Sequence, residues 1–241
     1  MKRTDLIFAI IFAAILFPFL PFPFFKSFHS GLLYNEGQWI WTSFIKFAML
    51  ATLGEVIGLR IKTGKYTAPG FGIIPRALVW GFLGIFIKIA FVVFASGVPT
   101  LAVKFFGIQG AADSMAYKDI FEAADNGFGW ERLVTAFSIS VLMNLFFAPV
   151  MMTFHKITDT HITDNKGTVS GFFSPVKFGE IFRKMNWFVQ WDFVFKKTIP
   201  FFWIPAHTIT FLMPGEYRVA FAAVLGIVLG IFLSIASQKA K

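Results

Sequence analysis

The sequence predicts an all-α fold: a polytopic transmembrane helical bundle of about six membrane segments, with both termini inside and short interfacial helices. Three observations predict it. Of 241 residues, 56% are hydrophobic and only 15% charged, whereas soluble domains run near 25% charged. Phe supplies 35 residues, more than one soluble core of this size buries, and a bilayer solvates the excess. Apolar runs close to the ~20 residues that cross a ~30 Å hydrocarbon core also recur along the chain.

The candidate segments are 5–25, 38–59, 77–98, 132–154, 198–213 and 216–237. The first follows Lys2 and Arg3 and opens with an apolar run from Leu6 to Phe17. This resembles a secretory signal, but the following Phe-Pro-Phe-Leu-Pro-Phe-Pro holds no small-residue cleavage site, so an uncleaved first span is expected. Pro18, Pro21 and Pro23 crowd its end. The second, third, fourth and sixth segments meet the length criterion directly. The fifth is short and carries Pro200 and Pro205, so a kink or an upstream extension toward Trp191 is expected. No Ser/Gly linker divides the chain, and residues 1–241 read as one integral membrane domain.

The charges test this map independently. With the N-terminus inside, the inner segments hold Lys2, Arg3, Arg60, Lys62, Lys65, Arg76, Lys156, Lys166, Lys177, Arg183, Lys184, Lys196, Lys197, Lys239 and Lys241. Outside stand Lys26, Lys104, Lys118, Arg132 and Arg218, a bias of 15 against 5. An even number of crossings follows; five crossings would put the C-terminal lysines outside. The net charge of +9 is therefore assigned to membrane topology, not to nucleic acid. The absence of Cys excludes disulfides and thiolate metal sites.

Two connections read as interfacial helices. In the outer one, Tyr117, Ile120, Phe121 and Ala124 fall at helical spacing after Asp113 and Ser114. In the inner one, Ser174-Pro175 reads as a helix start, and Phe178, Ile181, Phe182 and Met185 form an apolar face beside Lys177, Arg183 and Lys184. Such a helix suits an anionic membrane surface or the end of the bundle itself. Trp39, Trp41, Trp80, Trp187 and Trp191 lie near segment boundaries, as an aromatic belt requires.

Several local patterns resemble the Mpv-seventeen / peroxisomal membrane protein twenty-two family of small organellar membrane proteins. Trp203-Ile204-Pro205-Ala206, Phe211, Pro214, Tyr217-Arg218-Val219 and Phe232-Leu233-Ser234 look like its C-terminal W-P…N-F…P-x-x-Y/F-R-V…L-S signature. Gly54-Glu55-Val56-Ile57 looks like its G-D-x-x motif, and Asn144 through Pro149 is similar to its D-Q-x-x-x-A-P stretch. The chain departs from the pattern at Met143, which replaces an acidic residue, and at Lys88, which stands where a His is expected. The C-terminal motif is one residue short and lacks its Asn. Asn186-Trp187 resembles a further element but lies too far upstream, which implies an insertion. The resemblance implies channel-like permeability or organellar homeostasis, no enzymatic activity, and an organellar or bacterial cytoplasmic membrane.

Ionisable groups inside a span cost ~2.5–3.5 kcal/mol each and face a cavity or a partner. Lys46, Glu55 and Lys88 are three. Lys46 and Glu55, nine residues apart, occupy opposite helix faces. At a rise of ~1.5 Å per residue from the inner boundary, Glu55 lies ~6 Å deep, Lys88, Asn144 and His207 ~14–16 Å, and Lys46 ~20 Å. Lys88, Asn144 and His207 thus define a candidate polar layer near the midplane, with Glu55 as counter-ion for Lys88. It reads either as the lining of a narrow cavity selecting a small anionic solute, or as a hydrogen-bond cluster fixing helix positions. Lys46 reads as snorkelling, and His207 could instead satisfy a carbonyl freed by Pro205.

Gly54-x-x-x-Gly58 and Gly226-x-x-x-Gly230 permit close helix packing within the chain or in a homo-oligomer. His155 and His161 with Asp159 and Asp164 fit a solvated inner loop better than a metal site. No phosphate-binding Gly loop, G-x-S-x-G or EF-hand pattern is present. No metal, cofactor or nucleic acid is expected, and no enzyme. The leading expectation is a channel or transport-type protein in a lipid bilayer. The alternatives are a structural or partner-binding membrane subunit, or a lipid-acting enzyme whose inner basic helix gathers headgroups.

Overall fold

A computed structural model describes residues 3–17 and 35–239, and the described chain is helical with no strand. The elements are α1 (Arg3–Leu16), a 3₁₀ turn (Glu36–Gln38), α2 (Trp39–Thr63), α3 (Ile73–Phe106), α4 (Gly110–Ala116) and α5 (Ile120–Asp125). There follow α6 (Gly129–Phe146), α7 (Ala148–Asp164), α8 (Val169–Phe172), α9 (Phe178–Lys184) and α10 (Trp187–Val189). A π-helical stretch (Gln190–Trp203), α11 (Ile204–Leu212) and α12 (Gly215–Lys239) complete the chain.

Among the described residues, one helix, α3, is long and apolar enough to cross a membrane unaided, and α6 with α7 meets the same criterion as a bent pair. The bend is 44° and falls in the middle of the expected fourth span. Pro149 is the physical reason: it has no N–H to donate back to Leu145, so the ladder is interrupted where α7 begins. The expected single rod 132–154 is thus two helices. The expected segment 5–25 is helical over α1, and its remainder, with Pro18, Pro21 and Pro23, lies outside the described residues.

The fifth segment extends upstream, through a π-helical stretch joined to α11 without a break. Its wider turn carries the i→i+5 pattern, seen where the Ile204 N–H donates to the Ile199 carbonyl and the Thr198 hydroxyl to the Phe193 carbonyl (3.2 Å).

The chain divides into two compact units, the first of Met1–Ile85, Ile162–Ser174 and Val219–Lys241, the second of Phe86–His161 and Pro175–Arg218. In the first, α2 packs on α12 with almost no side chain between them. A Cβ on Gly54 would lie 2.8 Å from the Ile227 Cα, and one on Gly230 would lie 3.1 Å from the Gly54 carbonyl oxygen. Gly226 faces Ala51 at 3.9 Å, and Gly58 is buried. Small residues here let backbones meet. The loops around Gly72 and Gly167 meet just as closely, a Cβ on Gly72 falling 2.8 Å from the Gly167 Cα. Asp5 ties α1 to this unit, accepting from Arg60 Nη2 (2.7 Å) and from the Tyr66 hydroxyl (2.9 Å).

In the second unit, α9 forms as expected but starts at Phe178, not at Ser174-Pro175. Ser174 is occupied by donating its hydroxyl to the Gly171 carbonyl (2.6 Å). Half of the apolar face packs inward, Ile181 and Met185 against Ile157 and Val176, while Phe178 and Phe182 stay exposed. The outer connection differs more. Asp113 and Ser114 lie inside α4, and Asp119 caps α5 by accepting from the Phe121 and Glu122 N–H groups. Its buried side chains are Ala111, Ser114 and Ala123, while Phe121 is 78% exposed.

Candidate functional site

The second unit holds three of the four residues of the expected polar layer, and two of them are joined. The Asn144 amide nitrogen on α6 lies 3.0 Å from His207 Nδ1 on α11. The same nitrogen donates to the Ser140 carbonyl (2.8 Å) and approaches the Ser140 hydroxyl at 3.3 Å. That hydroxyl in turn donates to the Ile204 carbonyl (2.7 Å). The circuit closes between the two helices, with Asn144 fully buried and His207 9% exposed. Where the amide donates to Nδ1, the ring proton sits on Nε2.

Helical spacing explains the arrangement. Ser140 and Asn144 are four residues apart on one face of α6, and Ile204 and His207 three apart on one face of α11. Aromatic rings enclose the imidazole. Trp203 stacks on it with centroids 5.1 Å apart, and Phe91 of α3 meets it edge-on at 5.8 Å and meets Phe211 at 5.2 Å. Trp203 Nε1 is buried with no hydrogen-bond partner. His207 therefore bonds to a side chain, not to a carbonyl released by Pro205 as the sequence allowed.

Lys88 lies one helical turn before Phe91 on α3 and is half-buried. From its position it is ~22 Å from the start of α3 and ~27 Å from its end, close to the middle of a span-length helix. Glu55 belongs to the first unit. There its carboxylate accepts from Arg76 Nη1 (2.6 Å) and from Trp80 Nε1 (2.8 Å). Arg76 also donates through Nε to the Phe71 carbonyl (2.7 Å), which fixes the entry to α3. The expected counter-ion for Lys88 thus has Arg76 and Trp80 as partners, and Trp80 is more than a belt residue.

Two further expectations are corrected. Lys46 is 3% exposed and lies inside the protein, so it does not snorkel outward. His155, Asp159 and His161 sit on α7 and not in a loop. His155 and Asp159 form an i,i+4 pair at 3.7 Å, and His161 is buried.

Sequence reasoning missed Arg132, counted as an outer-loop charge. It is fully buried, and its guanidinium donates to the carbonyls of Ser114 (2.9 Å), Tyr117 (2.6 Å) and Lys118 (3.1 Å). The signal available was its position one turn into α6 behind two short helices, whose C-terminal carbonyls need donors. No family model, curated protein or solved structure matches the chain.

Proposed function

We propose that the chain is a small multi-pass membrane protein of channel or transport type, in which Lys88 is the cation presented to an anionic solute. The observation that carries this reading is the placement of Lys88 at the middle of α3, the one described helix long and apolar enough to span a membrane alone. A lysine there costs ~2.5–3.5 kcal/mol unless polar surroundings receive it. Lys88 is partly exposed, as this reading requires of a group that meets a solute. Asn144 and His207 take a different part from the one the sequence suggested. They satisfy each other and serve as wall, holding α6 to α11 behind the Phe91 ring. The family resemblance, the inner excess of cations and the recurrent apolar segments support membrane insertion with both termini inside.

The test is anion flux in liposomes containing the purified protein. Lys88→Ala lowers flux and Lys88→Glu shifts preference toward cations, while a folded Asn144→Ala protein changes flux less than either. Equal flux in the wild type and both Lys88 variants would overturn the assignment. A second reading, a structural or partner-binding membrane subunit, is favoured by the Asn144–His207–Ser140 circuit, whose bonds join α6 to α11 rather than reach outward. It gives no flux and stable co-purification with another membrane protein.

A further inference from the structure

We infer that α9 docks on an anionic bilayer surface, its exposed aromatic flank entering the headgroup–acyl boundary while its cations meet lipid phosphate. The inference rests on the membrane insertion proposed above and not on transport. The sequence predicts one apolar face for this helix, and the structure divides it in two. Ile181 and Met185, four residues apart, pack against Ile157 and Val176. Phe178 and Phe182, also four apart, lie about 60° further around the helix and are 51% and 48% exposed. The protein's own core therefore takes half of the face and leaves the aromatic half outside.

The aromatic half is held in place by contacts. Beyond α9 the Met185 backbone is extended, and the chain returns so that the Trp187 ring meets Phe182 with centroids 4.5 Å apart. Trp187 Nε1 donates to the Phe182 carbonyl (2.9 Å), and Asn186 caps α10 by accepting from the Val189 N–H (3.1 Å). The indole thus enters an apolar layer with its donor already satisfied. Phe188 next to it is 74% exposed. The charges around this patch indicate what covers it. Residues 177–184 hold Lys177, Arg183 and Lys184, all exposed, against the single carboxylate of Glu180, which pairs with Lys177 at 3.7 Å. Arg183 directly follows Phe182, and a Cβ on Gly179, one turn before Arg183, meets nothing within 4 Å. A fork of N–H donors therefore stands beside the aromatic flank with open space along it. Anionic headgroups over acyl chains offer negative charge and apolar depth side by side, and such a surface fits that partner.

The chain has no Cys, so a nitroxide on one introduced Cys reports a single place. Gly179→Cys puts it beside the aromatic flank, and Val92→Cys, on an exposed position of α3, gives a reference inside the span. The full chain is placed in nanodiscs of phosphatidylcholine with rising phosphatidylglycerol, and depth is read from collisions with oxygen and with a water-soluble nickel chelate. The Val92 label is open to oxygen and shielded from the chelate in every lipid. The Gly179 label passes from chelate-exposed to shielded as phosphatidylglycerol rises. In Arg183→Gln the midpoint of that passage rises about fivefold, the factor one cation contributes near an anionic surface, and adding Lys177→Gln abolishes it. Glu180→Gln removes the one carboxylate and lowers the midpoint. A Gly179 label indifferent to phosphatidylglycerol while Val92 is shielded, or equal midpoints in the wild type and Arg183→Gln, would overturn this surface alone. Closure of the Gly179 label to both reagents in every lipid would overturn it too, because protein then covers the face. A Val92 label open to the chelate would overturn membrane insertion, and this surface with it.

Discussion

The Asn144–His207 bond can be weighed by a double-mutant cycle, with Asn144→Leu and His207→Phe as the single changes. Leu keeps most of the Asn volume in a fully buried position. Phe keeps a ring between Trp203 and Phe91. Each single variant leaves one buried polar group without its partner, which costs about 1–3 kcal/mol in a soluble interior. In a bilayer the unfolded reference state also finds partners, and interhelical hydrogen bonds average about 0.6 kcal/mol with a maximum near 1.7. The enclosure by two rings and the extra Ser140 bond place this pair toward the upper part of that range, so a coupling of about 1 kcal/mol is expected. The double variant is then less destabilised than the sum of the singles. The assay is reversible unfolding in mixed micelles titrated with SDS, read by Trp fluorescence and far-UV circular dichroism. Additivity within about 0.3 kcal/mol would refute the bond as a stabilising contact between α6 and α11.

Two substitutions in the first unit, with Gly97→Ala in the second as a control, are read by the same unfolding assay. Gly54→Ala puts a Cβ 2.8 Å from the Ile227 backbone and costs about 1–3 kcal/mol as α2 and α12 separate. Gly97→Ala meets nothing within 4 Å and gains about 0.5–1 kcal/mol from helix propensity, so the pair isolates the steric effect. Glu55→Ala strips Arg76 and Trp80 of a shared acceptor and costs at least about 2 kcal/mol, because hydrogen bonds to charged groups are the strong ones. An unchanged midpoint in that variant would show that the Glu55 carboxylate is not what holds Arg76 and Trp80.

Helix positions were largely legible in the sequence, because apolar length and cap residues act locally. The segments near 38–59, 77–98 and 216–237 correspond to α2, α3 and α12. The Asn144–His207 pair was legible as well, through a depth count along two separate segments. What was not legible needed knowledge of which backbone groups meet. Arg132 looks like any loop cation until the carbonyls of Ser114, Tyr117 and Lys118 converge on it. Phe121 and Tyr117 suggested an apolar face for the outer connection, yet small Ala123 is the side chain that packs. Pro149 was read as part of a motif, while its missing N–H is what breaks the fourth segment into α6 and α7.

The buried and paired arginines also bear on the expected orientation, since a charge committed to tertiary contacts is a poor witness to topology. Of the cations that the sequence assigns to the outer side, Arg132 and Arg218 donate to backbone carbonyls, and setting them aside leaves Lys26, Lys104 and Lys118. Arg60 and Arg76 are held by Asp5 and Glu55, and removing them leaves thirteen cations on the inner side. The expected asymmetry of 15 against 5 becomes thirteen against three when these four arginines are set aside. Lysines supply most of what remains, and lysine is the strongly hydrated cation that resists translocation. The expectation of inner termini therefore does not depend on the four arginines held by Asp5, Glu55 and the backbone carbonyls.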